Sequence, residues 1–413
     1  MTPTKEAALL MSSLSIYQNI MNRTVPKAYF ELLTAIDKPV FEFTRKWGNF
    51  FSLLCDRGYA DRLTYCITET ALFDENAFSK AAAAHFEMSL PTEVISAVRR
   101  DISAIKRISS LTPERILEDY VYRDELGSVA NSMPKWKTGI PIKEFTDEDN
   151  AIDCLAEYYR KNGCGMFARY RAFIWRNNSI EPVVHPDKIT LSSLKGYDVP
   201  RNKVKENTEA FLKGIHANNC LLYGDRGTGK SSTVKAVLNE YCKDGLRMVE
   251  MPKDKLGEFP VLVDRIASVQ LKFIIFIDDL SFADNDKSYA WMKAVLEGGL
   301  AVRPENTLIY ATSNRRHLVK ENFSERAGDD MHLNDTIQES LSLSDRFGLS
   351  VNFSKPDKEQ YLEIVKNLAK EKQLDISVEE LEKGAERWAI QRGGRSPRCA
   401  VQYISSVEAD LAK

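Results

Sequence analysis

The sequence predicts an α/β protein. A parallel five-stranded sheet over residues 186–355 is flanked by an all-α N-terminal domain, residues 1–185, and by a C-terminal helical segment, residues 356–413. Three observations predict this. Before about residue 180, apolar residues recur at helical spacing, as in Val94, Ile95, Val98, Ile102, Ile105 and Ile108. From about 190, short apolar runs alternate with longer amphipathic stretches. After Pro356 the runs stop and the helical period returns.

In the N-terminal domain, breaks are expected at Pro26, Pro39, Gly58, Pro91 and Pro113, with Thr112 as the cap of the helix that Pro113 begins. Gly127–Pro141, holding Gly127, Pro134, Gly139 and Pro141, reads as a loop or subdomain joint. Helices over 147–161 and 166–176 then lead to an extended link around Pro182–Pro186. The five apolar runs are Asn219–Tyr223, Arg247–Met251, Phe273–Ile277, Thr307–Ala311 and Leu349–Phe353. Runs of this length suit parallel strands buried on both faces, joined by right-handed helical crossovers.

The charges nearly cancel, 57 Lys and Arg against 59 Asp and Glu over 413 residues. That excludes binding nucleic acid or an anionic membrane through bulk positive charge, but leaves a local basic patch open. The longest strongly apolar stretch, Phe273–Ile277, is far short of the ~20 residues of a membrane helix, so no transmembrane span is expected. The N-terminus does not read as an export signal, because Lys5 is followed at once by Glu6. Seven scattered cysteines with no C-x-x-C spacing read as reduced thiols of a cytoplasmic protein.

The strongest signal is Gly224-Asp225-Arg226-Gly227-Thr228-Gly229-Lys230-Ser231, which fits G-x-x-x-x-G-K-[ST], the P-loop or Walker A pattern. An apolar strand precedes it and a helical pattern, Ser232–Cys242, follows. The glycines let the backbone wrap a phosphate, and the helix N-terminus adds a favourable dipole. Lys230 is expected to reach the β- and γ-phosphates and Ser231 to ligate Mg²⁺, with Ser232 beside it. The second acidic feature, Asp278-Asp279, ends the run Phe273–Ile277 as a Walker B pair would. Asp278 fits the Mg²⁺ shell, and Asp279 fits the orientation of an attacking water. ATP and Mg²⁺ are thus the expected cofactors.

Through these motifs, residues 190–413 resemble the AAA+ ATPases. Leu194-Lys195-Gly196-Tyr197-Asp198 lies where that family has a turn lining the adenine pocket. Ala311-Thr312-Ser313-Asn314 ends the next run, and Asn314 matches the first sensor of the family, which positions water and reads the γ-phosphate. Ser344-Asp345-Arg346-Phe347-Gly348 is similar to the box whose arginine reaches the nucleotide of the next subunit, a role that falls to Arg346. Gly393-Gly394-Arg395-Ser396-Pro397-Arg398 looks like the second sensor on the lid, with Arg398 fitting best and Arg395 a close second. The wider wording, including Glu297-Gly298-Gly299-Leu300 and Leu341-Ser342-Leu343, resembles a bacterial subfamily of ATP-binding proteins of unassigned function. The acidic pair departs from the common Asp-Glu, which points towards slow, switch-like turnover, as in helicase loaders and initiators.

The resemblance implies a homo-oligomer, a ring or open spiral such as a hexamer, that hydrolyses ATP to remodel or load a macromolecular partner. The partner, protein or DNA, is not named by the sequence. The segment Pro252–Pro260 holds Gly257 and Phe259, but not in the order of a polypeptide-threading loop, and reads as a turn into a helix over Val261–Val269. Arg169-Tyr170-Arg171-Ala172-Phe173-Ile174-Trp175-Arg176 could stack bases, but reads better as an apolar helix face with solvated arginines. Arg315-Arg316-His317 could face a subunit joint or a ligand. A nucleotide-gated binding switch is the alternative function. A small-molecule kinase would need an Arg-rich lid, and Phe323–Leu341 is rich in Asp, Glu and Asn instead.

Overall fold

A computed structural model describes residues 1–147, 150–282, 287–297, 304–314 and 345–412. Arg315, Arg316 and His317, the segment Phe323–Leu341, Ser344 and most of the phrases around Gly298 and Leu341 lie outside the described residues.

The chain divides into two compact units, Met1–Arg169 and Tyr170–Lys413. The first is helical: α1 (Pro3–Ser12), α2 (Thr24–Leu33), α3 (Val40–Asp56), α4 (Leu63–Leu72), α5 (Ala77–Ala83), α6 (Thr92–Ser109), α7 (Pro113–Asp119), α8 (Val129–Ser132), α9 (Ala151–Asn162) and α10 (Gly165–Arg169). The expected stops hold at Pro39 and Pro91, which stand immediately before α3 and α6. Thr112 caps α7, its hydroxyl accepting from the Arg115 amide at 3.3 Å. Pro26 breaks nothing: it sits in the first turn of α2, where a missing N–H costs no helical bond. The stretch Gly127–Pro141 is not a joint but a strap inside this unit. Trp136 is buried there, Trp47 Nε1 donates to Pro134 O at 2.8 Å, and the Leu63 amide donates to Lys137 O at 3.0 Å.

The second unit holds the sheet. Its strands are β1 (Ala172–Arg176), β2 (Ser179–Pro182), β3 (Cys220–Gly224), β4 (Leu246–Glu250), β5 (Lys272–Ile277), β6 (Thr307–Ser313) and β7 (Leu349–Phe353). The order is β2-β1-β4-β5-β6-β3-β7. The five expected runs are present and mutually parallel, but the sheet has seven strands, not five. The extra two form a hairpin in which β1 pairs antiparallel with β2 and parallel with β4.

That hairpin corrects the expected helix over 166–176, and it belongs to the second compact unit, which begins at Tyr170. Phe173 and Trp175 are buried at a period of two, which is a strand pattern. Asn177 and Asn178 both have left-handed φ, 52° and 54°, and form the two-residue loop between Arg176 and Ser179. Two arginines of this segment have polar partners: Arg171 Nε donates to Asn239 Oδ1 at 2.9 Å, and Arg176 lies 3.8 Å from Glu181.

Helices α11 (Asp198–Leu212), α12 (Lys230–Tyr241), α13 (Phe259–Ala267) and α14 (Lys287–Glu297) accompany the sheet. The segment before α13 is a tight turn, Lys253–Glu258, as expected. Every residue of β6 is buried, and β5 is buried from Phe273 onwards, as central parallel strands require. Helices α15 (Lys358–Glu371), α16 (Val378–Gln391) and α17 (Pro397–Leu411) pack on one another around Tyr361, Val365, Leu381, Ala385 and Ile404. β3 lies between β6 and β7, so neighbouring connections diverge there and leave a crevice at the strands' C-terminal ends. Among the described residues, no helix is long and apolar enough to cross a membrane.

Candidate functional site

The turn after β3 depends on its glycines. Gly224 has φ 129°, and a Cβ there would lie 2.4 Å from Phe353 O in the neighbouring strand. Gly229, with φ 92°, precedes α12, and no side chain caps that helix. The first amide donors of α12 therefore remain directed into the turn, where an anion can accept them. Thr228 Oγ1 donates to Asp225 O at 2.8 Å and closes the loop.

Lys230 is 6% exposed, and its Nζ donates to Gly224 O at 2.9 Å, to Asp225 O at 2.6 Å and to Asn314 Oδ1 at 3.3 Å. Burial pulls its pKa below the ordinary lysine value. The carboxylates of Asp225, Asp279 and Asp278 oppose this, and Arg398 adds to it. A phosphate chain accepting from Nζ would supply the negative charge that favours the protonated amine.

At the end of β5, Asp278 gathers hydroxyls. Ser231 Oγ donates to Asp278 Oδ1 at 2.6 Å, and Thr312 Oγ1 donates to the same oxygen at 2.5 Å. The Asp279 amide donates to Thr312 Oγ1 at 3.0 Å, and the Leu280 amide donates to Thr312 O at 2.7 Å. These bonds hold Asp279 at φ 51°, a left-handed conformation uncommon outside glycine. Asn314 Nδ2 donates to Asp279 Oδ1 at 2.6 Å. Asn314 thus links the lysine of the turn to the second acid. Lys230, Ser231, Asp278, Asp279 and Asn314, predicted separately, form one hydrogen-bonded group. Thr312 is the member that sequence reasoning passed over. Its signal was present: a threonine two residues before Asn314, on the strand beside the acidic one.

The donor set tests the fit of Mg²⁺. A serine hydroxyl and a carboxylate oxygen converge, both hard oxygen ligands. Two protein oxygens suit an ion that completes its octahedron with phosphate and water.

Around this group lies a cleft of about 670 Å³, within the usual range for small ligands. Arg226, Gly227, Thr228, Gly229, Lys230, Ser231 and Ser232 line one side, with Asp278, Asp279 and Asn314 below. Gly196 and Tyr197 line the other. Gly196 has φ 70°, and its Cβ position is 2.9 Å from Ile364 Cδ1 on α15. The Tyr197 ring stacks on Phe353 with centroids 5.5 Å apart, and its hydroxyl donates to Ser354 O at 2.6 Å. Tyr197, Phe353, Ile364 and Leu368 make this end aromatic and aliphatic, suited to a flat base.

The two lid arginines are separated by the structure. Arg398 lines the cleft, and its amide donates to Gly227 O at 3.1 Å. Arg395 forms a two-pronged pair with Glu386, at 2.9 and 2.7 Å, and does not line the cleft. Asp225 turns its carboxylate to the Lys355 amide, 2.8 Å away. Arg346 is exposed and is not among the residues lining the cleft.

The family pattern described as "Protein of unknown function (DUF815)" matches residues 168–411. The chain belongs to the DUF815 family. Among curated proteins, the 26S proteasome regulatory subunit 6B homolog of Schizosaccharomyces pombe is 35% identical over 115 residues, 24% of this chain and 29% of that protein. The putative cell division cycle ATPase of Plasmodium falciparum is 28% identical over 215 residues, 46% of this chain and 16% of that protein. The chain thus spans less than a third of either relative. Among solved structures, the RuvB Holliday junction branch migration motor of Thermotoga maritima matches with a TM-score of 0.37 and 16% identity, over 54% of this chain and 65% of that one. The ATPase relatives agree with the AAA+ resemblance read from the sequence, and DUF815 itself is a family of unknown function.

Proposed function

We propose that this DUF815 chain binds ATP·Mg²⁺ in the cleft and hydrolyses it to drive remodelling or loading of a macromolecular partner. The supporting observation is the single hydrogen-bonded group formed by Lys230, Ser231, Asp278, Asp279, Thr312 and Asn314 at three adjacent strand ends. In this reading the turn amides and Lys230 hold the phosphates, and Ser231 and Asp278 hold the cation. The cation screens charge on the phosphoryl oxygens. Asp279 orients the attacking water, and Asn314 orients Asp279 and senses the γ-phosphate. Arg398 contacts the nucleotide from the lid, residues 356–413. Gly196 and Tyr197 face the base.

Arg346, exposed and outside the cleft of its own chain, is the candidate to complete the site of a neighbouring subunit. That would require a homo-oligomer, a ring or spiral such as a hexamer. The helical first unit would hold the protein or DNA partner, and the free thiols support a cytoplasmic setting. At saturating protein, Arg346→Ala should lower steady-state hydrolysis by ~100-fold or more while leaving ATP binding intact. Full retention of hydrolysis would remove the shared site from this reading.

The second reading, a nucleotide-gated switch with slow turnover, is favoured by one observation. The second acid of the pair is an aspartate, Asp279, whose side chain is one methylene shorter than the common glutamate and reaches less far towards an attacking water. Turnover that stays slow with protein or DNA added would support the switch, and brisk stimulated turnover would discard it.

A further inference from the structure

Beside the cleft, on the far side of Arg226 and Arg398, lies a second and smaller pocket of about 240 Å³. Five basic side chains line it, Arg226, Lys355, Arg392, Arg395 and Arg398. Among the described residues, no Asp or Glu lines it. Arg395 is neutralised by Glu386, and the other four cations converge on one concavity. Like charges brought together repel, and the arrangement is relieved only by an anion among them. Two of the cations are held in place before any ligand arrives. Arg395 is fixed by both of its bonds to Glu386, and the Arg392 guanidinium stacks 4.9 Å from the Trp388 ring centre. Gly394, with φ 128°, leaves room for the Lys355 ammonium, which lies 3.5 Å from where a Cβ would stand.

We propose that this pocket is a second anion site that takes a short chain of phosphoryl groups, the size of pyrophosphate or tripolyphosphate. The charge fits, since each phosphate group carries about one to two negative charges near neutral pH. The size fits as well, because the space is below the ~300 Å³ of usual small-molecule pockets and too small for a nucleoside with its phosphates. An extended single strand would call for a groove with stacking platforms, and this is a small basic concavity with no aromatic side chain among the residues that line it. Such an anion would touch the turn after β3 through Arg226, the segment leading into the lid through Lys355, and the lid itself through Arg392 and Arg398. It would therefore hold the lid against the turn and couple its own binding to that of the nucleotide.

The test is calorimetric titration of the full chain with tripolyphosphate while saturating ADP fills the cleft. Binding is expected, and the Lys355→Ala/Arg392→Ala double variant should weaken it at least tenfold while ADP affinity stays within twofold. Neither residue lines the cleft. No binding with the cleft filled, or undiminished binding by the double variant, would overturn the proposal. So would an equal loss of ADP affinity in that variant, or tighter binding of a single-stranded oligonucleotide that the same substitutions abolish. If ADP itself fails to bind, the nucleotide reading fails separately. The same titration on Lys230→Ala then decides the pocket, where retained binding supports it and lost binding overturns it.

Discussion

Two aspartates, one in each unit, show what separates a structural carboxylate from a working one. Asp101 on α6 is fully buried, and its Oδ2 accepts from the amides of Ser15, Ile16 and Tyr17 at 2.9, 2.8 and 3.2 Å. Asp278 accepts from two hydroxyls and from the Asp279 amide, yet it is exposed and faces a cleft. Both are well supplied with donors. Asp101 is enclosed by the chain it anchors, whereas Asp278 keeps room for a further ligand. A carboxylate that opens on space while its neighbours hold it in place is preorganised for something the chain does not itself provide.

The largest expected effect would break the structural side of this comparison. Asp101→Ala leaves three amides without their acceptor and should cost about 3–5 kcal/mol in the first unit, read by denaturant unfolding, with ADP binding unchanged. A loss below about 1 kcal/mol would show that water replaces the carboxylate there. Lys230→Met should reduce nucleotide affinity ~100-fold, about 2.8 kcal/mol, without lowering the stability of the nucleotide-free chain. The pH dependence follows from the direction of its shift. The native amine has a depressed pKa, so the unfolded chain binds more protons between that value and the ordinary lysine value. Stability should rise with pH across that window, and the Met variant should lose the rise.

Thr312→Val sharpens the comparison on the working side. It removes one hydroxyl that supports Asp278 and Asp279 without changing the side chain's shape. Turnover should fall about tenfold, or about 1.4 kcal/mol, with KM little changed, and Thr312→Ser should restore it. The smallest effect lies away from both acids. Asn178→Gly relieves a left-handed residue in the β1–β2 loop and should stabilise the second unit by about 0.5 kcal/mol in a thermal melt.

Much of the site was legible because it is built from short, contiguous segments. The P-loop pattern, the acidic strand end and Asn314 each depend on backbone geometry that a few neighbouring residues dictate. The parallel strands were legible because burial on both faces leaves an unbroken apolar run. The hairpin was harder to read. Tyr170, Phe173 and Ile174 match a helical period, while Phe173 and Trp175 match a strand period, and the pairing of β1 with β4 decides between them.

The sequence by itself therefore determined the α/β core, the turn that can cradle a phosphate and the two acids beside it, because local spacing controls all three. Only the tertiary structure decided that the sheet has seven strands, that Thr312 bridges the acids, and that Arg398 faces the cleft. Arg395 and Arg398 stand three residues apart in the same turn, and nothing local separates them. Glu386 captures one, and the amide of the other donates to Gly227 in the turn after β3. The second contact joins residues distant in the chain, and only the packed fold brings them within bonding distance.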